Sequence, residues 1–155
     1  MVEAVSHRAQ VPVGFASGTV GDVMSHGVIS CPPETPLRMV ARLMATFGIH
    51  AVFVFEHMDE DDEARQLWGL ASDLDLVAAT RLDIDSVTAG DTAVTPLVTV
   101  AADEPLSAAG DLMAQYGVAH LAVTDPHTRR PVGVVSTLDI ARALAAERSD
   151  HEISS

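Results

Sequence analysis

The sequence predicts an α/β (α+β) fold made of two β-α-β-β-α repeats, related by a pseudo-twofold axis and packed sheet to sheet. Three observations lead there. The chain repeats itself: Gly21-Asp22 matches Gly90-Asp91, Pro36-Leu37 matches Pro105-Leu106, Leu43-Met44-Ala45 matches Leu112-Met113-Ala114, Gly48 matches Gly117 and Val54 matches Val123, all at an offset of 69. Beyond an acidic stretch the offset falls to 64, where Gly69, Ser72, Leu74, Asp75 and Ala79 match Gly133, Ser136, Leu138, Asp139 and Ala143. Within each repeat, apolar runs of strand length alternate with segments of helical spacing. Finally, neither repeat alone is large enough to bury both faces of a sheet, so the two should pack together around a shared cleft.

Residues 1–18 lack sustained periodicity and carry Ser, Gly, Pro and Gln, which predicts a flexible tail, with Val11 to Phe15 able to dock on the body. The first repeat spans 19–82. Thr19 to Met24 reads as a short helical turn leading into a strand at Val28 to Ser30, and Pro32-Pro33-Glu34 as a turn. Thr35-Pro36 has the form of an N-cap followed by a first helical position. Leu37, Val40, Ala41, Met44 and Phe47 then follow at helical spacing until Gly48 stops the helix. Ala51 to Phe55 is a strand, 56–66 an acidic loop, Leu67 to Ala71 a strand and Leu74 to Thr80 a short helix. The difference between the offsets 69 and 64 means that this loop holds five residues more than its counterpart, and loops tolerate such insertions. The second repeat spans 83–148, with an apolar run at Val132 to Val135 and a helix at Ile140 to Glu147; residues 149–155 form a C-terminal tail.

At 155 residues the chain is about one domain long. A chain of that size buries roughly 68–70% of its unfolded surface. Apolar residues make up 48% and aromatic ones 4%, so the core must be built from Val, Leu, Ala, Ile and Met. Nine basic residues against 22 acidic ones, a net charge of −13, argue against nucleic acid and against anionic membrane surfaces as partners. No apolar run approaches the roughly 18 residues that span a bilayer, and no secretory leader is visible. A lone Cys31 allows no internal disulfide, which fits a cytoplasmic location.

The chemistry concentrates where the last strand of each repeat passes into its last helix, at Gly69-Leu70-Ala71-Ser72-Asp73-Leu74-Asp75 and Gly133-Val134-Val135-Ser136-Thr137-Leu138-Asp139. Each copy sets a hydroxyl and a carboxylate three residues apart beside free backbone N–H groups. Such a corner can hold a polar ligand. It also has the form of a capping box, which satisfies the first helical turn and implies no function. The run Asp59-Glu60-Asp61-Asp62-Glu63 lacks the alternating ligands and central Gly of a calcium loop, so it reads as solvated. No metal site is expected. The chain has no G-x-S-x-G elbow, phosphate-cradling Gly-rich loop or paired His/Cys spacing, and His7, His26, His57, His127 and His151 form no ligand set; an enzyme is not expected.

The doubled pattern resembles a tandem pair of CBS domains, often called a Bateman module, over about Thr19 to Glu147. It is carried by GDVMS, by FGIHAVFV and YGVAHLAV, and by GLASDLD and GVVSTLD. The resemblance implies a stand-alone sensor that binds AMP, ADP or ATP in the cleft between repeats and senses energy or stress state, with S-adenosylmethionine the less favoured ligand. It assigns the ribose hydroxyls to Asp139 and Asp75, places Ser136 and Ser72 near ribose or phosphate, and counts Thr137 among the ligand-binding residues. A carboxylate accepts from two vicinal hydroxyls, and a helix N-terminus favours phosphate, so ribose at the Asp with phosphate farther off is the consistent arrangement.

In relatives a basic residue, often Arg, meets the phosphates just before the second strand; here His50 and His120 stand at those places. A histidine is half charged near pH 6.5, so phosphate contact there would weaken affinity between about pH 6 and pH 8. Ala122 and Phe53 replace the usual Pro of the second strand. By the same analogy, adenine would lie against Ile29 to Cys31, Val98 to Val100 (with Val100 foremost), Val134 and Val135, residues that otherwise read as core. The resemblance further implies a homodimer formed through the helices starting at Pro36 and Pro105, with Met39, Met44, Met113 and Tyr116 on its surface, and a protein target that reads the signal. The competing reading is a ligand-free dimerisation or protein-interaction module whose corners only cap helices.

Overall fold

Apolar side chains spaced three and four apart, Leu37, Val40 and Met44 and again Leu106, Ala109 and Met113, give each repeat one long helix with a single buried face. Those helices are α2 (Leu37–Phe47) and α5 (Leu106–Tyr116) in the computed structural model, which describes residues 13–56, 66–93 and 97–147. The other elements are α1 (Val20–Val23), β1 (Ser25–His26), β2 (Ser30–Cys31), β3 (Ala51–Glu56), β4 (Gln66–Ser72), α3 (Asp73–Ala79), α4 (Ala89–Thr92), β5 (Thr99–Ala101), β6 (His120–Thr124), β7 (Pro131–Ser136) and α6 (Thr137–Ala146). The chain forms two compact units, one running from Val28 to Leu97, the other joining the stretch that ends at Gly27 to Val98 and beyond.

The first unit holds a three-stranded sheet in the order β2-β3-β4, with β2 parallel to β3 and β3 antiparallel to β4. A parallel pair needs a crossover, and α2 supplies it. Ile29, Cys31, Leu37, Val40, Met44, Val52, Val54, Ala71, Ala79 and Ala89 form its core. The second unit repeats the plan with β5 parallel to β6 and β6 antiparallel to β7, and adds β1 on the free edge of β7, Ser25 opposite Val134 and His26 opposite Gly133. Its core gathers Val20, Val100, Leu106, Ala109, Met113, Leu121, Val123, Val135 and Ala143. The mixed α and β architecture is the one the alternating pattern predicts.

Both long helices end as the sequence requires. Gly48 and Gly117 take left-handed conformations, φ 62° and 63°, and the next amides, of Ile49 and Val118, bond back to the carbonyls of Met44 and Met113 at 3.1 Å. Their starts differ from expectation. Pro36, not Thr35, is the N-cap of α2, and no side chain caps it. The Leu37 amide instead donates to the Val87 carbonyl at 2.9 Å, so tertiary backbone takes the place of a hydroxyl.

The opening turns of the two repeats, α1 and α4, explain the matched Gly-Asp pairs. In the second unit the Val20 and Gly21 amides donate to the carbonyls of Glu104 and Ala102 at 2.9 and 2.8 Å. In the first, the Ala89 and Gly90 amides donate to Thr35 and Pro33, both at 2.8 Å. A Cβ on Gly21 would lie 3.1 Å from the Ala102 carbonyl oxygen, so a side chain there would press on that carbonyl by a few tenths of an ångström. Thus α1, at the head of the first sequence repeat, belongs to the second unit, and α4, from the second repeat, belongs to the first.

Other expectations shift in detail. The strand expected at Val28 to Ser30 is the two-residue β2, and β1 was not foreseen. Helix α6 begins at Thr137, three residues before the expected Ile140. Of the N-terminal stretch, residues 1–12 lie outside the described residues, while Phe15 packs against the second core. Of the acidic loop, 57–65 lie outside them too, between the paired ends Glu56 and Gln66 of β3 and β4. Met44 and Met113, expected on a dimer surface, are buried at 7% and 6% exposure, because they share the face of Leu37 and Leu106; Met39 and Tyr116 are exposed.

Candidate functional site

Each Ser-x-x-Asp corner is built by a strand that ends on a half-buried serine in extended conformation, Ser72 at φ −104° and Ser136 at φ −117°. The two then fold the same way. One carboxylate oxygen, Oδ2 of Asp75 or Asp139, accepts the serine's backbone N–H at 2.8 Å and its hydroxyl at 3.0 Å. The serine Oγ in turn accepts the aspartate amide at 3.3 Å. Both corners are complete capping boxes. The sequence reading missed that α1 and α4 start similarly, with Asp22 accepting the Thr19 amide at 2.9 Å and Asp91 the Thr88 amide at 3.0 Å. Repetition alone therefore does not separate a ligand site from a cap.

Burial separates the corners from those other starts. Asp75 and Asp139 are half-buried, whereas Asp22 and Asp91 are exposed. At both corners, as at Asp22 and Asp91, the hydrogen bonds of the carboxylate run through Oδ2, and among the described residues Oδ1 makes none. A carboxylate oxygen has two lone pairs, so each corner can cap its helix and still accept from hydroxyl donors. The electrostatics elsewhere are those of local caps. The Asp91 carboxyl is held below the usual range by the Thr88 backbone N–H, and Asp125 by the N–H groups of Thr128 and His127. Burial pushes the Cys31 thiol up.

The first unit brings His50, Ser72, Asp73 and Asp75 together. The Asp73 amide donates to the His50 carbonyl at 2.8 Å, and His50 Nδ1 lies 2.9 Å from Asp73 Oδ2. The second unit brings together His120, Ser136, Thr137 and Asp139, with His120 opposite Ser136 in the sheet register and the exposed Thr137 donating its amide to the Ala119 carbonyl at 2.9 Å. The histidines do not occupy matching places. His50 corresponds to Ala119 and His120 to Ala51, since Ala51 is the residue opposite Ser72. Asp73 went unnoticed in the sequence, although the offset of 64 sets it against Thr137 and so exposes the mismatch.

The proposed adenine-lining residues divide. Val135 and Val100, at 0% and 5% exposure, belong to the second core, and Ile29 and Cys31 to the first. Packing accounts for all four. Val134 projects from the other face of β7 and stays half-buried. Among the described residues no group of three or more His, Cys, Asp or Glu could hold a metal ion, and no helix is long and apolar enough to cross a membrane.

The family model described as CBS domain matches residues 20–81 and 89–146. No curated protein matches the chain. Among solved structures, it is similar to the CBS domain pair of protein MJ0100 in complex with 5′-methylthioadenosine and S-adenosyl-L-methionine, at 22% identity and TM-score 0.69, covering 84% of this chain and 98% of that one. It is also similar to the CBS-domain containing protein ATU1752 from Agrobacterium tumefaciens, at 16% identity and TM-score 0.68, covering 86% and 98%. A third is the hexameric CBS-CP12 protein from bloom-forming cyanobacteria, at 18% identity and TM-score 0.67, covering 79% and 69%. At these identities the likeness establishes the fold.

Proposed function

The chain belongs to the CBS-domain family, and on that premise we propose that it is a regulatory module that binds an adenosine-containing ligand at its Ser-x-x-Asp corners. The proposed ligands are of the AMP, ADP or ATP class, ahead of S-adenosylmethionine, and the signal they carry is energy or stress state. The observation behind this reading is that Asp75 and Asp139, unlike the exposed caps Asp22 and Asp91, are half-buried, each with Oδ2 capping a helix and Oδ1 taking no bond among the described residues. An acceptor-only oxygen at a half-buried position suits the vicinal hydroxyls of a ribose. The complex of the MJ0100 domain pair with two adenosine compounds supports the ligand class. Binding would act by preferring one of two conformational or assembly states, shifting their balance by the difference in affinity.

A homodimer is part of the proposal, formed through the outer faces of α2 and α5 where Met39 and Tyr116 are exposed. A second reading, a ligand-free dimerisation or protein-interaction module, draws on the exposed Leu74, Val77 and Leu138 beside the corners. Calorimetric titration with AMP, ADP, ATP and S-adenosylmethionine separates the two. The sensor reading expects saturable binding of at least one adenine nucleotide at micromolar concentration. No heat from any of the four at millimolar concentration would leave the interaction module.

A further inference from the structure

The two corners share their capping geometry but not their charge. At the first helical position of α3 stands Asp73, where α6 has Thr137. The backbone places are equivalent: the Asp73 amide donates to the His50 carbonyl and the Thr137 amide to the Ala119 carbonyl, at 2.8 and 2.9 Å. Asp73 is held in position from two sides, since its Oδ1 accepts the Leu74 amide at 2.8 Å and its Oδ2 lies 2.9 Å from His50 Nδ1. The β4–α3 corner thus sets two carboxylates in one helical turn, one of them beside His50, and the β7–α6 corner sets a single carboxylate.

We propose that Asp73 is a specificity-determining residue: it keeps phosphate-bearing ligands out of the β4–α3 corner, which takes an uncharged nucleoside, while the β7–α6 corner admits nucleotides. The inference rests on the proposed adenosine-ligand reading and adds the ligand class of each corner. Its physical basis is repulsion between like charges. A phosphate monoester carries nearly two negative charges at neutral pH, and the Leu74 amide that could have met it already bonds Asp73. At the other corner Thr137 offers a hydroxyl donor in place of that charge.

Adenosine and AMP share the nucleoside and differ by the phosphate, so titrating the full chain with each isolates the effect. Wild-type protein should bind two adenosines but one AMP per chain, and the AMP site should vanish in Asp139→Asn. Asp73→Asn keeps an oxygen for the Leu74 amide while removing the charge. It should raise AMP affinity at the first corner about tenfold or more, making a second AMP site measurable. Asp73→Thr, which copies the other corner, should do the same, and the gain should shrink in high salt. Two equal AMP sites in the wild type would overturn the assignment. So would a single AMP site in both Asp73 variants while adenosine still fills two. Binding of neither compound would overturn the parent reading, and this one with it.

Discussion

Gly133 and Gly110 show how one substitution can have opposite effects within one unit. A Cβ on Gly133 would run into the Ser25 carbonyl oxygen and approach the Met24 sulfur, because β1 lies directly across β7 at that point. Gly110 lies inside α5, and a Cβ there meets nothing within 4 Å. Gly133→Ala should therefore destabilise by about 1–3 kcal/mol through overpacking. Gly110→Ala should stabilise by roughly 0.5–1 kcal/mol, the helical advantage of alanine. Both changes restrict the unfolded chain equally, so a difference in sign under urea denaturation isolates the native environment. The matched glycines of the repeat were legible in the sequence. That Gly133 serves a close approach by β1 was not, because a strand of two residues leaves no periodic trace.

At the scale of elements, helix starts hold much of the local specificity. Thr88→Ala, Ser72→Ala and Ser136→Ala each remove an oxygen that accepts from the first turn. At the half-buried Ser72 and Ser136 the loss should be about 0.5–2 kcal/mol, read as a shift in denaturation midpoint. The acid side follows from the same bonds. Asp91 and Asp125 are held below the usual carboxylate range by backbone N–H donors, and Asp85 by the Arg38 guanidinium. A depressed folded-state pKa means that the stability these groups add is present above the unfolded value near 3.9. It is lost as pH falls through the folded value. Melting temperature should thus fall below about pH 4, and Asp125→Asn should flatten part of that fall. Ser-x-x-Asp was legible as a capping box, and Gly48 and Gly117 as stops. The start of α2 was misread, because its first amide is satisfied by the Val87 carbonyl, a partner fifty residues away that no local pattern encodes.

For the molecule as a whole, the internal repeat fixed most of what sequence could yield: two β-α-β-β-α patterns, their cores and their corners. It did not yield the exchange of opening turns, by which α1 joins the second unit and α4 the first, since hydrogen bonds from Gly21 and Gly90 decide that and not the order of the chain. The unequal charge of the corners was within its reach, since the offset of 64 sets Asp73 against Thr137, although the motif alone draws the eye to Asp75 and Asp139. The central claim is that Asp139 both caps α6 and accepts a ribose. Asparagine at 139 would keep one oxygen for the cap and replace the other by an N–H donor, so it separates the two roles. The direct measurement is thermal unfolding of wild-type and Asp139→Asn protein, with and without AMP near a hundred times its dissociation constant. Binding at that level stabilises by about 2.7 kcal/mol, roughly 5–10 °C for a chain of this length. The account predicts that shift in the wild type and its loss in the variant, with similar melting temperatures for the two free proteins. An equal shift in both, or none in either, would contradict it.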